Sequence, residues 1–330
     1  MATITFYYKN SDNGIEAIQS QLRKIQEEIP FQLIDLCLDE DKDISKHYDD
    51  RTPALQIGPY RLTAPFEDVN IRVALNAVKD REAAIDPEVL KKRNQNLMQI
   101  SGMENFSYWL SRYYMLFIAG ILALFLFFPI MAPVLMKNGQ TTAASIIYKV
   151  YKVFCHELAY RSFYLYGEQY YYPRELAGIS NVITYEQATG MSAQEIDFAR
   201  NFVGNELMGY KIAICERDVA IYGSFLLAAL LFQLIGKKLK GLPWYLWVLI
   251  ALVPMGLDGV SQIPSLSSGW PTWLPIREST PLLRVITGAL FGLGTSWFIY
   301  PLMEESMVET RSAMAQKMAI KKKLIKQGRM

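Results

Sequence analysis

The sequence predicts a soluble α+β domain followed by an α-helical membrane bundle of about four transmembrane helices. Three observations support this division. Residues 1–82 alternate β-branched runs with helical patterns, the rest of the chain contains four long apolar windows, and basic residues gather in three segments beside those windows. The 330-residue chain has room for two domains, and its 51% hydrophobic content averages two unlike halves.

Composition excludes several classes of protein. A formal net charge of +2 with 20% charged residues indicates neither a nucleic-acid-binding protein nor an acidic tail. The three cysteines, Cys37, Cys155 and Cys215, allow at most one intramolecular bridge, so a disulfide framework is excluded. No charged region precedes an apolar stretch at the N-terminus, so we expect no cleaved signal peptide. The first apolar helix must then direct membrane insertion.

The first domain is predicted to follow the order βαβαββα. Residues 10–14 form a turn cluster, Pro30 ends the first helix, and Gly58-Pro59 turns a hairpin. The predicted elements are a strand over 4–8, a helix over 15–29, a strand over 31–38, a helix around 41–48, a strand over 52–58, a strand over 60–62 and a helix over 66–78.

This order, with Thr52-Pro53 opening the third strand, resembles the thioredoxin and glutaredoxin fold. In that family the proline is cis, and the redox chemistry needs a low-pKa cysteine where the first strand meets the first helix. Here Lys9 to Gly14 occupy that junction and include no cysteine. Cys37 lies within the second strand, where a small buried apolar residue is expected rather than a reactive thiol. The resemblance therefore implies a redox-inactive docking domain over residues 1–82.

Four windows have the length and composition of membrane spans, which need about 20 apolar residues. They cover about residues 113–135, 220–235, 244–263 and 285–303. With four spans, the three basic segments all lie on one side of the membrane, and basic flanks mark the cytoplasmic side. The sequence therefore predicts a multi-pass protein of the inner (plasma) membrane with both termini in the cytoplasm.

The predicted organisation has four parts. They are the domain 1–82, a juxtamembrane helical linker 83–112, a transmembrane domain 113–303 with an outer segment of about 137–219, and a basic cytoplasmic tail 304–330. Residues 142–166 are aromatic-rich and amphipathic, which indicates an interfacial helix or a short fifth membrane element. The many tyrosines of the outer segment fit an interfacial aromatic belt better than a ligand-stacking role.

Polar motifs recur along the membrane half. They are Cys155-His156-Glu157, Arg161-Ser162-Phe163, Cys215-Glu216-Arg217-Asp218 before Ile221-Tyr222, Asp258-Gly259-x-x-Gln262 and Leu283-Arg284. In this order they resemble a bacterial and archaeal membrane-protein family known as domain of unknown function 2085, over about residues 154–294. Asp218 replaces the second cysteine of one family motif, and an insertion of roughly residues 171–210 precedes Cys215. The resemblance implies a fold and a site but no reaction.

Four spans would bring the unusual polar residues into one layer at the outer face. This predicted polar cluster comprises Glu157, Arg161, Arg217, Tyr222, Asp258, Gln262 and Arg284. An acid within a span costs about 2.5–3.5 kcal/mol at the bilayer centre, so Asp258 is expected to pair with Arg284 or Arg217. Such a pair could equally serve only to fix helix packing. The glycines of the fourth window, Gly288, Gly292 and Gly294, indicate close helix contacts.

Cys155, His156, Cys215 and Asp218 are candidates for a metal site or a disulfide. Four N, S or O donors suit zinc or another divalent metal. Adjacent residues on a helix point about 100° apart, so Cys155 and His156 could bind one ion only at a helix end or turn. A disulfide between Cys155 and Cys215, a metal site and two unlinked buried thiols all stay open. The first two require these cysteines to lie close together.

Two functions fit these features. The first is a non-catalytic membrane subunit or scaffold, whose docking domain and tail contact other subunits of a membrane complex. The second is a membrane enzyme or transporter that binds a metal or small ligand at the outer cluster. The sequence has no dinucleotide-binding glycine motif, P-loop or paired-histidine helix. Besides the bilayer, we therefore expect protein partners and no nucleic acid, and zinc or another divalent metal is the cofactor considered.

Overall fold

The computed structural model describes residues 2–40, 42–45, 52–97, 99–263 and 277–328. The chain forms two compact units. The first unit comprises residues 1–113 and 305–330, and the second comprises residues 114–304.

The first unit is a mixed α/β fold around a four-stranded sheet. The strand order is β2-β1-β3-β4, with β1 parallel to β2 and antiparallel to β3, and with β3 and β4 forming a hairpin. The elements are β1 (Thr3–Tyr8), α1 (Ile15–Glu28), β2 (Gln32–Cys37), α2 (Lys42–Ser45), β3 (Ala54–Ile57), β4 (Tyr60–Thr63), α3 (Asp68–Ala83) and α4 (Pro87–Leu97). The predicted order of strands and helices is confirmed up to α3. Of the helix predicted around 41–48, residues 41 and 46–48 lie outside the described residues.

The sheet is covered by an aliphatic core. Ile4 and Phe6 of the central strand β1 are fully buried, and they pack with Leu22 of α1 and Leu75 of α3. Cys37 is buried at the end of β2, and its thiol donates to the side-chain oxygen of Asn10 at 3.4 Å. The peptide bond between Thr52 and Pro53 is cis.

Residues 305–328 of the predicted basic tail are helical and belong to this unit. They form the last turns of a long helix, Pro281–Gly328, and contact strands β1 and β2. Gln316 hydrogen-bonds the Tyr7 hydroxyl, and the side chains of Lys323 and Gln327 donate to backbone carbonyls of β2. These side chains of the predicted tail therefore hydrogen-bond to strands of the same unit.

Among the described residues, three helices are long and apolar enough to cross a membrane, where the sequence predicted four. They are α5 (Gly102–Lys137), α9 (Glu216–Leu234) and the helix Pro281–Gly328, which we label α11. The third predicted window forms a shorter apolar helix, α10 (Trp244–Val260). At 1.5 Å per residue, α10 rises about 25 Å, which is less than the roughly 30 Å of hydrocarbon in a typical bilayer.

The glycines of α11 allow helices to approach closely. A Cβ atom added at Gly288 would lie 2.7 Å from the backbone oxygen of Arg217, and one at Gly292 would lie 2.6 Å from that of Ile221. One at Gly294 would lie 3.1 Å from the Cβ of Ala251. The contacts at Gly288 and Gly292 are closer than real Cβ contacts and the one at Gly294 is tight, so small residues suit these positions, as the sequence indicated.

The outer segment has its own small fold. Its elements are α6 (Thr141–Tyr151), β5 (Ser162–Leu165), α7 (Tyr185–Thr189), α8 (Ile196–Asn201), β6 (Gly204–Asn205) and β7 (Gly209–Cys215), and its sheet has the order β5-β7-β6. The continuous element predicted over 142–166 is wrong in extent, because α6 ends at Tyr151 and a strand begins at Ser162. Its association with a membrane stays a prediction.

Four tyrosines of the outer segment form its core rather than an interfacial belt or a ligand-stacking surface. Tyr160, Tyr164, Tyr172 and Tyr185 are each at most 1% exposed and pack together. The Tyr164 hydroxyl donates to the carbonyl of Ala159, and that of Tyr172 to the carbonyl of Leu207, each at 3.0 Å. Tyr164 and Tyr172 can be buried in this way because their hydroxyls find backbone acceptors.

Candidate functional site

Asp258, near the end of α10, is the centre of a first buried ion-pair network. Its carboxylate, 4% exposed, accepts from Arg217 in the first turn of α9, from Arg277 at 3.2 Å and from the Ser279 hydroxyl at 2.9 Å. Gln262 donates to the same carboxylate at 3.2 Å. Of the two partners expected for Asp258, the structure therefore gives Arg217.

Arg284 belongs to a second network, which is centred on Glu278. Arg284 binds Glu278 and lies 3.2 Å from Glu216 at the start of α9. The Glu278 carboxylate also binds Arg161 at 2.7 Å and Arg174 at 3.2 Å, both from the outer segment. Glu278 thus connects the outer segment to helix α11, and Arg284 extends the connection to α9.

These networks satisfy charges that would be costly to bury alone. A buried ion costs several kcal/mol unless good partners compensate it. Five arginines and three carboxylates participate, and the ring of Tyr160 adds cation–π contacts to the guanidinium groups of Arg161 and Arg174 at 5.6 and 5.4 Å. The carboxylates are therefore bound by side chains of the same protein.

Glu157 was predicted in the polar cluster but lies elsewhere. It is fully buried beside Lys211, whose ammonium group lies 3.9 Å from the Glu157 carboxylate and donates to the Glu157 carbonyl at 2.6 Å and to the Arg200 carbonyl at 3.0 Å. Burial disfavours the charged form of each group, so it raises the pKa of Glu157 to about 7 and lowers the pKa of Lys211 to about 8. The attraction between the two charges opposes both shifts. This pair is internal to the outer segment.

Tyr222 also takes no part in the ion-pair networks. Its ring packs 4.5 Å from that of Phe125 and 6.4 Å from that of Phe225, between centroids. It lies one helical turn after Asp218 on α9, and it belongs to an aromatic wall described below.

The side chains of Cys155 and Cys215 lie close together, which a metal site and a disulfide both require. Cys155 lies in the turn after α6, Cys215 ends β7, and Asp218 lies in the first turn of α9. One ligand atom from each of these three residues lies within 4.8 Å of the others, which makes them a candidate metal-binding group. Both cysteines are free thiols. The pKa of the Cys215 thiol is raised chiefly by two causes, of which the hydrogen bond with Cys155 is the larger and burial the smaller.

The structure does not bring His156 into this group. Its side chain is exposed, whereas those of its neighbours Cys155 and Glu157 are partly or fully buried. Successive residues leave the chain in different directions, so the predicted pair of adjacent ligands is reduced to Cys155.

Sequence reasoning missed several members of the networks. They are Arg174, Lys211, Arg277, Glu278 and Ser279. One signal was available, since Arg277-Glu278-Ser279 stands directly before the apolar helix α11, where charges border a membrane segment. Arg174 and Lys211 lie in or beside the insertion, and nothing in their local sequence distinguishes them from surface residues.

The fold and site define a membrane protein with an ordered outer segment bound to its helices by buried ion pairs. Residues 199–298 match a family described as predicted membrane protein (DUF2085). That match includes Cys215, Asp258 and Arg284 but begins after Cys155. An uncharacterized protein of Methanocaldococcus jannaschii is 25% identical over 205 residues, covering 59% of this chain and 96% of that protein. No solved structure matches the chain.

Proposed function

We propose that the protein is a non-catalytic integral membrane subunit or scaffold. The observation that carries this proposal is that the acids of the outer-face networks, Glu216, Asp258 and Glu278, bind arginines of the same chain. A catalytic acid needs to reach a substrate, whereas these carboxylates connect helices and the outer segment. The networks therefore favour a rigid outer surface over a reactive site.

Contacts in the first unit support an even number of membrane crossings. Lys321, near the end of α11, binds Glu104 at the start of α5 at 2.7 Å, and Arg311 donates to the carbonyl of Ser111 at 3.1 Å. These residues precede the apolar part of α5 and follow that of α11, so both helix ends lie on one side. Three spans would separate them. The short helix α10 supplies the fourth crossing, because a bilayer can thin around a short helix.

The side that carries both termini is the cytoplasm, because the basic residues flank the spans there. A cysteine introduced at Lys238, between α9 and α10, should resist an impermeant maleimide in intact cells and react after permeabilisation. A cysteine at Tyr170, which is 76% exposed in the outer segment, should react in both conditions. The wild-type chain is the control for the native cysteines, and the reverse pattern would overturn the orientation.

The first domain is proposed to be a thioredoxin- or glutaredoxin-like docking module without redox activity. Its sheet order, β2-β1-β3-β4 with one antiparallel edge hairpin, supports the resemblance. The junction between β1 and α1 has no cysteine, and the buried Cys37 thiol donates to Asn10. Without an exposed thiolate, thiol–disulfide exchange has no nucleophile, and protein docking is the role left to the domain.

The alternative is a membrane enzyme or transporter. The group of Cys155, Cys215 and Asp218 favours it, because three close donors can bind a metal. The two functions differ in what co-purifies with the chain. A stable stoichiometric complex favours the subunit, whereas a monomer with a bound ion favours the enzyme or transporter.

Co-purification in mild detergent tests the proposal. Native mass spectrometry should show this chain in a defined ratio with another membrane protein, and the complex should dissociate in a denaturing detergent. Chemical crosslinks to the partner should include Lys24, an exposed residue of the docking domain. A monomer free of partners would overturn the subunit role. Crosslinks confined to the outer segment, for example at Lys152, would overturn the docking role of the first domain.

A further inference from the structure

The thiols of Cys155 and Cys215 and the carboxylate of Asp218 meet at the start of helix α9. Cys215 precedes this helix and Asp218 lies in its first turn, so one strand-to-helix junction supplies two donors. Cys155 arrives from the turn after α6. The tertiary fold therefore assembles a group of two sulfur atoms and one oxygen within 4.8 Å from segments distant in sequence.

We propose that this group binds one divalent cation of the zinc class. Zn–S bonds of about 2.3 Å and Zn–O bonds of about 2.1 Å place neighbouring tetrahedral donors roughly 3.5–3.8 Å apart. The donor atoms lie within 4.8 Å of one another, so closing on the metal requires them to approach by at most about 1 Å. On binding, the two thiols release their protons to solvent, their sulfur lone pairs form the bonds to the metal, and Asp218 binds as the carboxylate.

The charge of Asp218 favours a cation over a disulfide. None of the ion pairs among the described residues includes Asp218. A disulfide between Cys155 and Cys215 would leave this carboxylate beside two neutral sulfur atoms. A divalent cation instead binds all three groups and gives this carboxylate a direct positive partner, while the two protons that the thiols release balance the charge of the metal.

Aromatic side chains enclose one side of the group. The ring of Phe125 packs 5.2 Å from that of Tyr151, 5.6 Å from that of Phe154 and 4.5 Å from that of Tyr222. Cys155 packs against the same apolar cluster. Apolar side chains beside a bound metal would lower the local polarity around it.

Among the residues that the structure describes, three donors form the group, and His156 is exposed and outside it. Structural zinc sites usually have four protein ligands, whereas three leave a position for water or an added ligand. The proposed site therefore has one exchangeable position. It does not rest on the subunit role, since a scaffold and an enzyme could both contain it, and its failure would leave that role unchanged.

Metal analysis of the full-length protein in detergent tests the inference. Purified without chelator and supplied with Zn²⁺, the wild-type chain should hold about one zinc per chain. Co²⁺ in place of zinc should give the thiolate-to-cobalt charge-transfer absorption. Cys155→Ser, Cys215→Ser and Asp218→Asn should each lower metal affinity at least about tenfold. His156→Ala and Cys37→Ser are matched controls that should keep the metal.

A second measurement uses the wild-type chain and so does not depend on folding of the variants. Chelation should increase the alkylation rate of Cys155 and Cys215 several-fold and leave that of Cys37 unchanged. Three results would overturn the site: absence of metal with both thiols equally reactive before and after chelation, a Cys155–Cys215 disulfide found by mass spectrometry, or equal zinc affinity in the wild type and Cys155→Ser.

Discussion

The sheet of the first unit and the outer segment are both small α/β folds, but their interiors differ. The first has an aliphatic core, with Ile4, Leu22, Leu55 and Leu75 fully buried. The second buries four tyrosines, together with charged side chains such as Lys211 and Glu157. An aliphatic contact is non-directional, and the stability lost on removing it grows with the apolar area removed. A buried polar group instead needs a particular partner. The outer segment therefore depends on individual atoms more than the sheet does.

The largest expected effect comes from removing one charge of the Glu278 network. Arg284 is 2% exposed and its guanidinium binds both Glu216 and Glu278. Because Arg284→Met leaves these buried carboxylates without that positive charge, we expect a loss of about 3–5 kcal/mol in the free energy of unfolding. Denaturation of the purified protein in mixed detergent micelles would measure it.

The double variant Glu216→Gln, Arg284→Met is the companion experiment. Because it also removes the Glu216 carboxylate, and Glu278 keeps Arg161 and Arg174, it should recover part of the loss. Glu309→Gln, at an exposed position of α11, is the control and should have little effect. If Arg284→Met is as stable as this control, buried ion pairs do not hold the outer segment, and the comparison fails.

The aliphatic core should respond by a graded amount. Leu75→Ala removes a fully buried side chain of α3 and should cost about 2–5 kcal/mol, because transfer and cavity costs add. Val73→Ala lies on the same helix at 62% exposure and should change stability by less than about 0.5 kcal/mol. Amide hydrogen exchange in strands β1 and β3 would locate the loss in the first unit. Equal effects of the two variants would contradict the placement of α3 on the sheet.

The smallest effect separates two tyrosines of the outer segment. Tyr164→Phe leaves the carbonyl of Ala159 without its donor and should cost about 1 kcal/mol. Tyr160→Phe should cost less than about 0.5 kcal/mol, since the described part of the chain gives its buried hydroxyl no hydrogen-bond partner. The two variants are matched in chemistry and burial, so thermal unfolding measured side by side would isolate the hydrogen bond. A larger loss at Tyr160 would reverse the assignment.

The sequence by itself determined the order of strands and helices in the first unit. Local patterns carry that information, because residues 10–14, Pro30 and Gly58-Pro59 end or turn the chain whatever the rest of the fold does. It also located the apolar helices and the close approach at Gly288, because length, apolarity and small residues act locally. The same local patterns could not decide whether α10 is long enough to count as a span.

Only the tertiary structure decided the partners of the charged residues. Attraction between charges depends on distance in space and not on spacing along the chain, so Asp258 could pair with Arg217, Arg277 or Arg284. The fold selected the first two. The tyrosine core could not be predicted from the sequence for a related reason. The carbonyls of Ala159 and Leu207 reach the tyrosine hydroxyls only after the segment has folded. The sequence grouped Cys155, His156, Cys215 and Asp218, but only the fold brought Cys155 to the other two and left His156 exposed. Donors from segments distant in sequence meet through packing, which no local pattern encodes.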